Sequence, residues 1–296
     1  MRVGTGRVMR RVTRIAAGLA TSAMLVALAS LGAGEALSTP AARTIGAAPA
    51  DLQAETVSIP DGRGATVAGW FIPGRPGRGA VLLLHGVRAD RRAMIERARL
   101  LSRDGHAVLL IDLPAHGESS GERITFGLRE GAGVRTALAE LRRRLPGEAI
   151  GVIGVSLGAA SLVLAHAEPA PDAVVLESMY PTIEEAVVDR LTRRLGPVGS
   201  ALAPLLLWQL PLRTGISPDQ LRPVDAIASL KAPVLVASGT RDQHTTLAES
   251  RRIFDAAREP KQFWAVDGAA HVDLFNAGPE AYRKIVIAFL DRYLVR

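Results

Sequence analysis

The chain of 296 residues contains no cysteine, only three lysines and few aromatic side chains. Without cysteine it can form neither a disulfide nor a thiolate metal site, and it cannot carry a lipoprotein anchor. Its basic residues are therefore almost all arginine, which we interpret as a bias of base composition. No aromatic platform is interleaved with these arginines, as binders of single-stranded nucleic acid require. We expect no nucleic-acid partner.

The net charge of +7 is concentrated at the N-terminus. Residues 1–37 hold five arginines and one glutamate, which leaves +3 for the rest of the chain. The sequence also lacks a Gly-x-x-x-x-Gly-Lys phosphate loop and a His-Glu-x-x-His zinc motif. We therefore expect no metal, nucleotide or organic cofactor.

Residues 1–37 read as a signal peptide or a membrane anchor. All five arginines precede an uncharged, Ala- and Leu-rich run of twenty residues at 15–34, at the upper limit for a cleaved signal and about the length that spans a bilayer. We favour an uncleaved anchor with the basic end inside and the rest of the chain outside the cytoplasm. Cleavage would instead give a secreted protein. An Ala-rich linker is expected over residues 38–55.

Apolar strands alternate with helical segments over residues 56–296, which predicts one α/β domain. Unbroken apolar strands indicate a mostly parallel sheet covered on both faces by helices. The eight predicted strands are Thr56–Pro60, Thr66–Ile72, Ala80–Leu84, Ala107–Ile111, Ala149–Ile153, Ala173–Leu176, Val234–Ser238 and Gln262–Val266. The predicted helices are Arg91–Arg103, Gly127–Leu145, Ser156–Ala167, Leu247–Ala257 and Pro279–Leu294.

An insertion separates the sixth strand from the seventh. It covers about residues 181–232, far more than one crossover needs, and it contains the apolar stretch 198–212. We predict a small helical cap that lines or closes a pocket, although most of its side chains are expected simply to pack on the core.

The strongest candidate for chemistry is Ser156, which lies between Gly154 and Gly158 where an apolar strand runs into a helix. The Gly-x-Ser-x-Gly pattern in this position is typical of a nucleophile elbow, because glycines let the backbone pass beside an exposed serine. A glycine-rich turn without chemistry is the alternative. Unlike the catalytic interpretation, it predicts nothing about the rest of the chain.

An acid and a histidine follow in the order that a serine nucleophile on this fold requires. Asp242 follows the strand that ends at Ser238, and His271 lies in a Gly- and Ala-rich loop after the last strand. We predict a triad of Ser156, Asp242 and His271. Glu177, after the sixth strand, is a less favoured candidate for the acid.

The oxyanion hole is expected where the strand Ala80–Leu84 ends in His85-Gly86-Val87. The predicted donors are the backbone amides of Leu157 and Val87, with Gly86 as the fallback for Val87. We expect His85 to brace this loop rather than to act as a base, because His271 already supplies one.

Together these motifs resemble the α/β-hydrolase superfamily, and in particular its membrane-anchored or exported serine-aminopeptidase-like branch. The resemblance covers about residues 56–294 and includes the loop 112–121, which is similar to the family's Asp-x-x-x-x-Gly-x-Ser-x-Gly segment. It implies an α/β-hydrolase fold, with Asp112 and His116 as loop braces. The segment 87–92 replaces a longer Asn- and Gly-containing one in relatives, which bears on the substrate.

These features predict a serine hydrolase that cleaves carboxylic ester or thioester bonds through an acyl-enzyme. The expected partners are a small-molecule or lipid-like acyl ester and, through the N-terminal segment, a membrane. A serine peptidase of the same fold is the nearer alternative, because triad chemistry is shared and specificity depends on the cap. A tethered, non-catalytic binding protein is the more distant one.

Overall fold

The computed structural model of the chain describes residues 4–271 and 273–296. Eight of its strands form one sheet, and two two-residue strands pair separately. The strands are β1 (Ala41–Ala42), β2 (Glu55–Pro60), β3 (Thr66–Ile72), β4 (Ala80–Leu84), β5 (Ala107–Ile111), β6 (His116–Gly117), β7 (Ile150–Val155), β8 (Ala173–Glu177), β9 (Val234–Gly239) and β10 (Lys261–Val266). The eight strands of the sheet match the predicted ones to within two residues.

The α-helices are α1 (Gly4–Ser38), α2 (Ile95–Asp104), α3 (Leu128–Arg144), α4 (Leu157–Leu164), α5 (Ile183–Leu195), α6 (Val198–Leu207), α7 (Gln209–Thr214), α8 (Pro223–Ala226), α9 (Leu247–Ala256), α10 (Leu274–Ala277), α11 (Pro279–Tyr282) and α12 (Ala288–Leu294). The single helix expected over residues 279–294 is interrupted by a π-helical turn at Arg283–Ile287. The helix expected over residues 156–167 is shorter, because His166 adopts a positive φ of 45°.

The order of strands across the large sheet is β10-β9-β8-β7-β4-β5-β3-β2. The strands from β10 to β5 run parallel, while β3 is antiparallel to both of its neighbours. In parallel sheets the carboxyl ends of the strands meet at one edge, where ligands bind. The loops after β4, β7, β8, β9 and β10 therefore converge on one rim.

Alternate residues of the central strands pack on opposite faces of the sheet. Leu82 and Leu84 belong to the apolar layer under α3, α4 and α9, whereas Val81 and Leu83 face the layer formed by α2 and the C-terminal helices. All four side chains are fully buried. Burial on both faces explains why these strands are continuous apolar runs without alternation. The expected fold, an eight-stranded, mostly parallel sheet with helices on both faces, is confirmed.

Helices α5 to α8 lie between β8 and β9, in the segment expected to form a cap. The last residue of α6 and the first of α7 are separated only by Trp208, whose φ of −59° and ψ of −31° are helical. Residues 198–214 therefore form a nearly continuous helical stretch.

The N-terminal helix is longer than the apolar run that predicts it. Within Met9–Ser38 an 18-residue window has a mean hydropathy of 1.9, so the helix is long and apolar enough to cross a membrane, a property that a signal sequence shares. None of this 18-residue window is buried, so α1 is not a core helix of the domain.

Residues 38–55, which the composition predicts to be a linker, lie along the domain. β1 pairs in parallel with β6, and the Ala41 amide donates to the Ala115 carbonyl at 2.8 Å. Leu52 is buried in the apolar layer on the α2 side of the sheet. The Ala-rich composition therefore conceals an ordered segment, because its small side chains fit against the loop that carries β6.

Candidate active site

Ser156 lies in a sharp turn between β7 and α4, with a φ of +50° and a ψ of −109°. Few L-residues adopt such a backbone conformation, and it is typically found at functional sites. A Cβ on Gly154 would lie 2.6 Å from the Ala159 nitrogen, and one on Gly158 would lie 2.5 Å from the Leu84 carbonyl oxygen. The two glycines of the motif are therefore required by close backbone contacts. Ser156 itself is largely buried, at 4% exposed.

The loops after β9 and β10 bring Asp242 and His271 together. His271 Nδ1 lies 2.8 Å from Asp242 Oδ2. The other oxygen, Oδ1, accepts hydrogen bonds from the backbone amides of His244 at 2.8 Å and Thr245 at 3.0 Å. Asp242 is therefore held from both sides, and its carboxylate orients the imidazole with Nδ1 as the donor and Nε2 directed elsewhere.

The pKa of Asp242 is lowered from its ordinary value of 3.8. Burial opposes ionisation most strongly, but it is outweighed by the hydrogen bond and charge of His271 together with the amides of Thr245 and His244. The carboxylate is therefore ionised at neutral pH.

Ser156 and His271 line the same open cavity, which also contains Ser178 and Arg190. In the described part of the chain, no hydrogen bond joins the Ser156 hydroxyl to His271. Such contacts are often loose without substrate. The structure thus brings the three residues of the predicted triad to one rim of the sheet. Of the triad's two hydrogen bonds, the one between His271 and Asp242 is formed.

The two predicted oxyanion donors flank Ser156. Leu157 is the first residue of α4, and the amides of a first helical turn have no partner within the helix. Val87 lines the cavities on either side of Ser156. Among the described residues, neither amide donates to a protein acceptor. The fallback residue, Gly86, is also close, since a Cβ there would lie 3.8 Å from the Ser156 Cβ.

A second cavity adjoins Ser156 on the side of the cap and has a volume of about 120 Å³. Its walls are almost entirely apolar and include Val187, Leu207 and Leu210. Ser156 thus lies between an apolar cavity under the cap and a more polar one that contains His271. A substrate with an apolar chain on one side of its scissile bond and a polar group on the other would fit into the two cavities beside Ser156.

His85 is a buried brace of the loop after β4. Its Nε2 accepts a hydrogen bond from the Leu113 amide at 3.0 Å, and its Nδ1 lies 2.8 Å from the Gly86 carbonyl oxygen. Burial, followed by the nearby His116, lowers the pKa of His85 from 6.5 to about 3. The ring is neutral and already bonded at both nitrogens, which disfavours a role as base.

The loop 112–121 is braced by charge. Asp112 accepts from the backbone and guanidinium of buried Arg91 at 2.8 and 2.9 Å, and from the Glu118 amide at 2.9 Å. His116 Nδ1 lies 2.9 Å from the Pro114 carbonyl oxygen. Both Asp112 and His116 therefore have structural partners in the loop.

Glu177, the other candidate for the acid, has different partners. Its carboxylate accepts from buried Arg97 at 2.5 Å and from the Tyr282 hydroxyl at 2.6 Å. Asp242, and not Glu177, bonds His271. Glu177 contributes to the site through its backbone, because its carbonyl accepts from the Ser156 amide at 2.8 Å.

Two residues of the site were missed by sequence reasoning. The ring of His244 lies 5.0 Å from that of His271, and burial, followed by the charge of His271, lowers its pKa. Arg190 of α5 lines both cavities, and its guanidinium donates to the Ala186 carbonyl at 2.9 Å. His244 could have been noticed two residues after Asp242, whereas Arg190 reaches the site only through the packing of the cap.

One cluster on the described chain has a donor set that could hold a metal. Asp104, His106 and Asp291 place their ligand atoms within 4.8 Å of one another. However, Arg78 bonds Asp104 at 2.6 Å and Asp291 at 3.0 Å. A guanidinium thus already supplies the positive charge, so the residues do not fit a cation well.

The sheet order, the strained serine at its rim and the cap define an α/β hydrolase. A model of the alpha/beta hydrolase family matches residues 81–285. The chain belongs to the alpha/beta hydrolase family.

Among curated proteins, the chain is 31% identical over 236 residues to the uncharacterized protein Rv2307c of Mycobacterium tuberculosis, which covers 79% of this chain and 76% of the relative. It is 26% identical over 257 residues to the alpha/beta hydrolase domain-containing protein WAV2 of Arabidopsis thaliana, covering 81% and 79%. These matches extend over most of the chain, but the names of the two relatives give no substrate.

Among solved structures, the esterase Pf2001 of Pyrococcus furiosus superposes with a TM-score of 0.72 at 23% identity, covering 87% of this chain and 98% of that one. The hydrolase GrgF of Penicillium sp. superposes with a TM-score of 0.66 at 17% identity, covering 81% and 99%. At these identities the likeness extends to the fold alone. The aminopeptidase-like branch of the resemblance is not confirmed.

Proposed function

We propose that the protein is a serine hydrolase that cleaves carboxylic esters or thioesters of apolar acyl groups. The observation that carries the proposal is the 2.8 Å contact between His271 Nδ1 and Asp242 Oδ2 beside Ser156, whose φ is +50°. A buried carboxylate that fixes the tautomer of a histidine next to a strained serine is the arrangement that activates a hydroxyl. The esterase fold of the neighbouring structures agrees with it.

In the proposed reaction, His271 Nε2 takes the proton of the Ser156 hydroxyl as its oxygen attacks the acyl carbonyl. Asp242 stabilises the imidazolium that forms, without accepting its proton. The amides of Leu157 and Val87 stabilise the oxyanion, and each such donor typically lowers the barrier by about 3 kcal/mol. His271 then protonates the leaving alcohol or thiol as the acyl-enzyme forms.

Water hydrolyses the acyl-enzyme in the second half of the reaction. His271 takes a proton from the water, whose oxygen attacks the acyl carbon, and returns it to the Ser156 oxygen as the acid leaves. The acyl group lies in the apolar cavity under the cap, and the leaving group and the water use the more polar of the two cavities, on the His271 side. The apolar walls favour an acyl chain over a peptide, which carries polar amides that need partners.

Fluorophosphonate labelling of the full chain in mild detergent tests the proposal. Wild type should be labelled, and Ser156→Ala should not. Ser178→Ala is the matched control, because Ser178 is also buried, lines the same cavity and has a positive φ of 48°. It should keep its label.

Substrate profiling then separates the alternatives. Hydrolysis of p-nitrophenyl esters of increasing chain length, without cleavage of amino-acid anilides, agrees with the proposal. Preference for the anilides points to a peptidase. If folded wild type is not labelled, the triad is not assembled and a binding role replaces the enzymatic one.

A further inference from the structure

The C-terminal end of α1 forms part of the wall of the apolar cavity. Gly34, Leu37 and Ser38 line it together with Leu206 and Leu207 of the cap. Gly34 and Ser38 are buried, whereas Leu37 is 38% exposed although it lines the cavity. A side chain that faces both the cavity and solvent marks the mouth. The mouth therefore lies where α1 meets α6 and α7.

Polar contacts hold α1 against the cap. Gln209 Nε2 donates to Ser30 Oγ at 2.9 Å, and Arg213 Nη2 donates to the Leu31 carbonyl at 2.7 Å. Arg213 also forms an ion pair with Glu35. Gln209 and Arg213 are one helical turn apart in the cap, and they contact successive turns of α1. The end of the N-terminal helix and the cap are thus one packed unit.

The cap carries an exposed apolar stripe next to this contact. Leu205, Trp208 and Leu212 are 41%, 67% and 70% exposed. Their spacing of three and four residues places them on one face of the nearly continuous stretch α6–α7. Gln209 and Arg213 each follow a stripe residue by one position, or about 100° around the helix. The stripe therefore flanks the line along which α1 crosses the cap.

The apolar run of α1 extends away from the contact between α1 and the cap. Fifteen of its twenty uncharged residues, 15–29, lie beyond the contacts with the cap and correspond to about 22 Å of helix, most of the roughly 30 Å thickness of the hydrocarbon core of a bilayer. If α1 spans the bilayer, its contacts at Ser30 and Leu31 lie close to the membrane surface. Trp208 and its neighbours then face that surface, where tryptophan is enriched in membrane proteins.

We propose that the stripe of Leu205, Trp208 and Leu212 docks on the lipid bilayer that α1 spans, and that the cavity takes long-chain acyl esters from the membrane. The inference rests on the proposed function for its catalytic part. Docking places the mouth at the lipid surface, so an acyl chain passes from hydrocarbon to an apolar cavity without crossing water. The substrate class is a membrane-resident carboxylic ester with a long acyl chain.

A docking measurement tests the surface independently of catalysis. The full chain is reconstituted into phosphatidylcholine vesicles with and without brominated acyl chains, which quench nearby tryptophan. The contribution of Trp208 is the difference between wild type and Trp208→Phe. Strong quenching of this contribution is the expected result. If it is not quenched, whether Trp208 faces water or packs on a second copy, the proposal is overturned.

A kinetic comparison tests the route of the substrate. The double variant Trp208→Ser and Leu212→Ser should hydrolyse p-nitrophenyl palmitate in vesicles roughly tenfold more slowly, because interfacial affinity scales with buried apolar area. Its rate with water-soluble p-nitrophenyl butyrate should stay within about twofold of wild type. The control is Val295→Ser. Val295 is an exposed apolar residue next to Leu294, which packs against Gly79 at the amino end of β4. It therefore lies at the edge of the sheet opposite the site.

The outcomes separate the two proposals. Equal rates of the double variant and wild type with the vesicle substrate overturn the membrane route and leave the serine hydrolase intact. Loss of both activities in the folded double variant also overturns it, because the stripe then serves the cavity and not the bilayer. Wild type that hydrolyses neither ester and takes no fluorophosphonate contradicts the proposed function, while the quenching result still decides the docking.

Discussion

Replacing Glu177 with glutamine should damage the stability of the protein far more than its chemistry. The carboxylate of Glu177 and the guanidinium of Arg97 are each at most 2% exposed and lie 2.5 Å apart. The Tyr282 hydroxyl donates to the same carboxylate at 2.6 Å. Glutamine keeps the size and one acceptor of the side chain, but it leaves the charge of Arg97 buried without its main partner.

The magnitude follows from the burial of this pair. Breaking a buried ion pair by removing one partner costs about 3–5 kcal/mol. Asp273 remains 2.7 Å from Arg97, with a side chain 30% exposed, so we expect the lower end, about 3 kcal/mol. For a domain of this size each kcal/mol lowers the melting temperature by about 2–4 °C. Glu177→Gln should therefore melt about 6–12 °C below wild type.

The assay compares Glu177→Gln with Asp242→Asn. Thermal unfolding of the full chain in detergent is followed by circular dichroism, and ester hydrolysis is measured at 20 °C per folded molecule. Asp242→Asn should lose about 10³–10⁴-fold in kcat, because the amide favours the wrong tautomer of His271. Glu177→Gln should stay within about fivefold of wild type.

The reverse pattern refutes this reasoning. If Glu177→Gln melts with wild type but loses turnover, Glu177 serves the chemistry and its pair with Arg97 does not stabilise the fold. If Asp242→Asn also keeps its turnover, the assignment of the acid is wrong. Arg97→Met is a useful second variant, because it should lower stability by the same loss of the pair while leaving the contact between Asp242 and His271 in place.

Three further changes test the site and its supports. Gly158→Ala should unfold the elbow at a cost above about 2 kcal/mol, measured by thermal melting, because its Cβ would lie 2.5 Å from a backbone oxygen. Since the pKa of His85 falls from 6.5 to about 3 on folding, stability should decrease as the pH drops through this window, by up to about 1.4 kcal/mol per unit. His85→Gln should flatten that slope. Arg190→Gln should raise KM about tenfold for a p-nitrophenyl hemisuccinate but not for the butyrate ester, as steady-state kinetics would reveal.

The strands and the rim of the site could be predicted because both depend on local sequence. A strand buried on both faces must be an unbroken apolar run, as Ala80–Leu84 is. A backbone that passes within 3 Å of its neighbours must be glycine, as at positions 154 and 158. Such constraints act on residues close in the chain, so they leave a pattern that can be read without the fold.

The parts that escaped prediction depend on contacts between distant segments. Nothing near Arg190 or Gln209 indicates that one lines the cavities beside Ser156 and the other bonds Ser30, because both placements arise from how the cap packs on the domain. The pairing of Glu177 with Arg97 is similar, since the two lie 80 positions apart. A carboxylate after a strand has the same local pattern whether it orients a histidine or neutralises an arginine.

The contacts of α1 favour one of the two interpretations of the leader. Cleavage anywhere around 33–38 would remove Ser30 and Leu31, which bond Gln209 and Arg213 of the cap, and cleavage after Leu37 would also remove Gly34 and Leu37 from the cavity wall. A cut there would open the apolar cavity to water. We therefore propose that the helix is retained as an anchor. N-terminal sequencing of the protein isolated from membranes should find a chain that begins before residue 30, and a mature terminus within 34–39 would contradict the proposal.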